Sequence, residues 1–121
     1  MNELPATNNV YGSIFSTTGL AKIAEILTSH LGLSKTEVYI YRSQFDRHQT
    51  LYIRTADYEF ETRIASEKNS WDISGSVAGD RSEILSILRY LFEPLQRAGF
   101  ESKFEIYDRD FNCIAEYPNN D

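Results

Sequence analysis

The chain has 121 residues, of which 41% are hydrophobic, 13% aromatic and 25% charged. That composition excludes an intrinsically disordered chain and suits one hydrophobic core in a single domain spanning 1–121. A formal net charge of −6 with a pI near 4.9 disfavours direct binding to nucleic acid or to an anionic membrane, because the long-range field repels both.

The first residues hold Asn2, Pro5, Asn8 and Asn9 with little apolar periodicity, and 1–9 is expected to be a loose tail, as is 118–121. Val10 to Ser16 is a candidate first strand, and Thr17 and Thr18 are candidate caps for the helix that follows. That helix carries Leu20, Ile23, Ala24, Leu27 and Leu31 at the three-and-four spacing of one apolar stripe. Gly32 followed by Leu33 reads as its stop, with glycine left-handed and leucine folding back.

Thr36 to Ser43 reads as a strand with Val38 and Ile40 on one side and Tyr39 and Tyr41 on the other, before a polar break from Gln44 to Gln49. Next, Leu51, Ile53 and Thr55 alternate on odd positions, and Tyr58, Phe60, Thr62 and Ile64 on even ones. A flip of parity means either a bulge or a tight turn. A two-residue loop at Ala56 and Asp57 is preferred, since it sets Ile53 opposite Phe60 and Arg54 opposite Glu59. Ala56 lacks the usual Asn or Gly chemistry of such turns, so a long bulged strand stays open.

After a polar stretch at Ser66 to Ser70, Trp71, Ile73 and Val77 alternate with Asp72, Ser74 and Ser76 in a further strand. Asp80 and Glu83 have capping-box spacing and open a helix whose face is Ile84, Leu85, Leu88, Leu91, Phe92 and Leu95. Pro94 removes one backbone bond near its end, and Gly99 closes it. Phe104 to Tyr107 and Cys113 to Tyr117 read as strands around a polar turn at Asp108 to Asn112. The spacing of Ile40, Tyr41 and Phe45 repeats in Ile106, Tyr107 and Phe111, each set following a helix that stops at glycine. Together these elements predict an α+β fold: a mostly antiparallel sheet of about five or six strands with two helices on one face.

Residues able to support catalysis are few. His30 falls in the last turn of the first helix, where the helix dipole suits an imidazolium, and His48 sits in a polar loop beside Asp46 and Arg47. Cys113, the only cysteine, excludes an internal disulfide and any multi-cysteine metal centre, and reads as a small core filler. Gly75 to Asp80 runs from strand to helix without the lysine of a phosphate-binding loop. No catalytic residue, metal site or cofactor is assigned.

The acids Asp57, Glu59 and Glu61 alternate along one strand with Arg54 and Arg63 placed to pair with them, the pattern of an exposed ion-pair ladder. The same acids, flanked by Tyr52 and Tyr58, also form a candidate partner-binding face: tyrosine brings contact area at low entropy cost and the acids steer a basic protein. The expected function is a non-enzymatic protein-binding module, a small acidic inhibitor or immunity-type protein that neutralises a basic partner. The alternative is a small enzyme or ligand-binding domain with a pocket between sheet and helices, drawing on His48, Asp46 or Cys113. Open sheet edges also admit a homo-oligomer. Neither a basic n-region with an apolar core nor a run of 18 apolar residues is present, so the expected compartment is the cytoplasm.

Overall fold

A computed structural model describes residues 3–45, 48–64 and 69–118. Asp46, most of the polar stretch expected at Ser66 to Ser70, and residues 119–121 of the expected tail lie outside the described residues. The elements are β1 (Val10–Phe15), α1 (Leu20–Leu31), β2 (Val38–Arg42), β3 (Gln49–Arg54), β4 (Tyr58–Ile64), β5 (Ser70–Val77), α2 (Arg81–Arg97), β6 (Ser102–Tyr107) and β7 (Cys113–Tyr117). The strands form one seven-stranded sheet in the order β2-β3-β4-β5-β1-β6-β7, and every neighbouring pair is antiparallel. The α+β class is as expected, with slightly more strands than the five or six read from the sequence.

Local chemistry explains most of the element boundaries. Asp80 caps α2 by accepting from the Glu83 N–H while the Glu83 carboxylate takes the Asp80 N–H, a complete capping box. The helix continues through Pro94 to Arg97, since one missing donor near the end costs a single bond. At the end of α1, Gly32 is left-handed at φ 66° and its N–H bonds the Thr28 carbonyl. The start of α1 departs from expectation: Gly19, not Thr17 or Thr18, occupies the cap, and no side chain caps the helix there. Ser16 instead donates its hydroxyl to the Gly19 carbonyl and secures the turn from outside.

The parity flip is a hairpin. Ile53 faces Phe60 and Arg54 faces Glu59, and the Thr55 N–H bonds the Tyr58 carbonyl across a loop of Ala56 and Asp57. Thr55 supplies the chemistry that Ala56 lacks: its hydroxyl oxygen accepts from the N–H groups of Asp57 and Tyr58.

Both helices pack on one side of the sheet, α1 over β2 and β3 and α2 over β6 and β7. The side chains between them form one hydrophobic cluster. At its centre Phe92 of α2 lies 4.4 Å from Phe104 and 5.6 Å from Phe60, ring centre to ring centre. Two glycines make room for these rings. A Cβ on Gly12 would lie 2.6 Å from the Phe104 ring and one on Gly75 would lie 2.4 Å from the Phe60 ring, so each phenyl covers a bare stretch of the neighbouring strand.

The strand that decides the topology is β1, which lies between β5 and β6. Asn9 extends it: its backbone bonds Gly75 and Tyr107, and its side-chain amide bonds the N–H and C=O of Val77. Asn8 and Thr7 accept from Ser76, so this stretch is tied to the sheet.

Candidate functional site

Strand alternation sends every second side chain away from the helices. On β4 the core side takes Tyr58, Phe60 and Thr62, and the other side takes Glu59, Glu61 and Arg63. Across the sheet this second face carries Tyr39 and Tyr41 on β2, Tyr52 and Arg54 on β3, Asp72, Ser74 and Ser76 on β5, and Tyr11, Ser13 and Phe15 on β1. Lys103, Glu105 and Tyr107 on β6 and Glu116 on β7 complete it. Neither helix covers this face.

Of the residues proposed for partner binding, Tyr52, Glu59 and Glu61 come together here: Tyr52 is directly opposite Glu61 on the neighbouring strand. Asp57 is exposed but belongs to the turn. Tyr58 does not join them. It is 7% exposed, sits on the helix side against Phe60, and burial raises its phenol above the ordinary range. Its parity already matched Phe60 and Thr62, so alternation alone assigns it to the core.

Tyr39, not singled out in the sequence for this face, and Arg54, expected only as an ion-pair partner, enlarge the patch. Tyr39 stacks on Tyr52 with ring centres 5.2 Å apart, and the Arg54 guanidinium lies 4.5 Å from the Tyr52 ring centre. The signal for Tyr39 was its parity in β2; what was missing was the cross-strand register that sets it beside Tyr52. The expected ion-pair ladder is only partial. Arg63 pairs with Glu61 at 3.8 Å, Arg54 turns to the tyrosine, and Glu59 makes no ion pair with a described residue. Asp72, opposite both Arg63 and Ser13, is likewise without an ion pair among the described residues. Among the described residues the centre of the face therefore sets the carboxylates of Glu59, Glu61 and Asp72 against Arg54 and Arg63.

The other end of the face has its own grouping. Tyr11 and Tyr107 meet edge to face at 5.7 Å, and Tyr107 donates its hydroxyl to Glu105 at 3.0 Å. That bond to a carboxylate raises the phenol pKa. Glu105, Cys113 and Glu116 bring metal-type ligand atoms within 4.8 Å of one another, all three exposed. Cys113 is thus a surface thiol and not the core filler expected; β7 begins at the bulge opposite Tyr107, which turns it outward.

The residues of the enzyme alternative are not assembled. His48 lies just before β3 and Cys113 opens β7, five strand spacings apart in the sheet order, or about 24 Å at ~4.8 Å per strand. His30 is exposed in the last turn of α1. An open groove of about 1060 Å³ lies along β1, β6 and β7 near the end of α2, lined by Ser13, Gln96, Lys103 and Glu116 among others, and contains neither histidine nor the cysteine. No helix among the described residues is long and apolar enough to cross a membrane. In comparisons with protein-family models, curated proteins and solved structures, nothing matches the chain.

Proposed function

We propose that the chain is a non-enzymatic protein-binding module, a small acidic inhibitor or immunity-type protein that occupies a basic protein partner through the helix-free face of its sheet. The observation that carries this reading is the cluster of Tyr39, Tyr52, Glu59, Glu61 and Asp72 on β2 to β5, where stacked tyrosines border carboxylates only partly neutralised by arginine. Tyrosine rings held by stacking lose little entropy on binding, and the carboxylates steer a cationic surface toward them. The net charge of −6 extends that attraction to the approach at low salt.

The test compares the full chain with the Glu59→Lys/Glu61→Lys variant in affinity purification from the native lysate, followed by kinetics on the purified complex. The expected result is a stoichiometric basic protein retained by the unmodified chain, with association slowed at least ~10-fold by the charge reversal and thermal stability within about 0.5 kcal/mol. Equal retention by both forms would remove this face as the binding surface, and a large loss of stability would return the acids to a structural role.

A further inference from the structure

We propose that the edge strand β2 pairs with the β2 of a second copy, giving a two-fold dimer in which one antiparallel sheet runs through both chains. The premise is the direction of the backbone groups. The Arg54 N–H bonds the Glu37 carbonyl and the Ser43 N–H bonds the His48 carbonyl, and the β2–β3 register is continuous between them. In an antiparallel ladder hydrogen-bonded pairs alternate, so Glu37, Tyr39, Tyr41 and Ser43 direct their backbone toward β3. Val38, Ile40 and Arg42 direct theirs outward from the sheet. The Val38 N–H returns to the Ser34 carbonyl; the N–H groups of Ile40 and Arg42 have no partner among the described residues.

Those groups fit a copy of themselves. With Ile40 on the two-fold axis, each Ile40 N–H donates to the Ile40 carbonyl of the second copy, and each Arg42 N–H donates to the Val38 carbonyl of the second copy. This register leaves no outward N–H unpaired. On the uncovered face it sets Tyr39 beside Tyr41 of the second copy, so the Tyr39–Tyr52 stack continues across the seam. Charge favours the same arrangement: antiparallel pairing brings the Arg42 end of one strand to the Glu37 end of the other, whereas parallel pairing would juxtapose like ends.

The two sheet edges differ in a way that selects a closed dimer over a filament. β2 has no proline and no register shift, and its one charge, Arg42, lies at its end, so it carries fewer of the usual devices against pairing. The opposite edge, β7, is blunted: it carries a bulge against β6, its Ile114 carbonyl accepts from the Arg81 guanidinium, and Pro118 follows it without an N–H. A β2-to-β7 contact would propagate without end, while β2-to-β2 closes after two copies. The dimer does not depend on the partner reading above, and it would set two uncovered faces side by side in one plane.

Sedimentation equilibrium of the full chain over a micromolar concentration series tests this. A reversible species at twice the chain mass of 13.9 kDa is expected. Ile40→Pro removes the outward donor of each copy, along with a half-buried side chain packed on the core, and should weaken the dimer roughly 30-fold through the loss of two hydrogen bonds of ordinary net strength. Tyr39→Glu/Tyr41→Glu, which places like charges across the seam, should weaken it as well and guards against misfolding of the proline variant. In a Cys113→Ser background, Ile40→Cys should cross-link under copper–phenanthroline oxidation, the axial pair lying about 5.5 Å apart. Tyr41→Cys, with its copies diagonal at about 7–8 Å, should not. A monomer at every concentration, a dimer indifferent to both edge variants, or cross-linking through Tyr41→Cys in place of Ile40→Cys would overturn the proposal.

Discussion

Replacing Gly12 with alanine tests how the sheet accommodates its aromatic core. The added Cβ would lie 2.0 Å from the Lys103 carbonyl oxygen and 2.6 Å from Phe104 Cδ1, well inside any ordinary contact. The ring can be trimmed or tilted, but the carbonyl belongs to β6, paired with β1 from Val10 to Ile14. Relief needs a backbone shift of about 1 Å across that ladder. Overpacking of this kind costs about 1–3 kcal/mol and at times more, and stretching a ladder hydrogen bond adds about 1 kcal/mol; the expected loss is about 3 kcal/mol. With an unfolding entropy of ~2.1 cal/mol/K per residue the whole chain loses about 0.25 kcal/mol per degree, so the midpoint should fall by about 12 °C. Thermal unfolding followed by circular dichroism reads this directly, with Ser13→Ala on the opposite face of the same strand as a control expected within about 0.5 kcal/mol. Adding Phe104→Leu to Gly12→Ala should leave most of the loss in place, because it relieves the ring and not the carbonyl. A Gly12→Ala midpoint within about 3 °C of the parent would refute the close approach of β1 and β6.

Two further perturbations probe other parts of the same architecture. Thr62 is fully buried and its hydroxyl oxygen accepts from the equally buried Leu51 N–H at 2.9 Å; Thr62→Val keeps the shape, strands that donor, and should cost about 1–3 kcal/mol in denaturant unfolding, whereas a neutral result would mean the N–H finds another acceptor. Asp108 accepts from the N–H groups of Asn112 and Asp110 in the β6–β7 turn, and the Asn112 bond, followed by the Asp110 bond, holds its carboxyl below the ordinary value of 3.8. A depressed folded pKa gives stability that is present above the unfolded carboxylate range and is lost as pH falls through the folded value. Asp108→Asn should therefore flatten the decline of the melting temperature below about pH 4, and an unchanged acid limb would show that the turn does not contribute to it.

What the sequence by itself determined is local. Gly32 and the Asp80–Glu83 box set helix ends because capping groups sit within a few residues of the bonds they satisfy. The hairpin register of Ile53 with Phe60 was legible because a two-residue loop leaves one arrangement that keeps both apolar sets on one face. The exclusion of Tyr58 from the outer face was legible too, in its shared parity with Phe60, and was overridden only by its nearness to the acids in the chain. What the tertiary structure decided is non-local. Nothing within Val10 to Phe15 specifies that it separates β5 from β6, since that position depends on partners far along the chain and on hydrogen bonds that any extended segment can make. Alternation separates the two faces of a strand without fixing cross-strand register, bulges or which face a helix will cover, so the stack of Tyr39 on Tyr52, the lack of an ion pair to Glu59 among the described residues and the exposure of Cys113 at the β6–β7 bulge emerged only in the assembled sheet. The outward direction of Ile40 and Arg42 has the same origin, because the phase of a hydrogen-bond ladder is a property of the pair of strands and belongs to neither sequence alone.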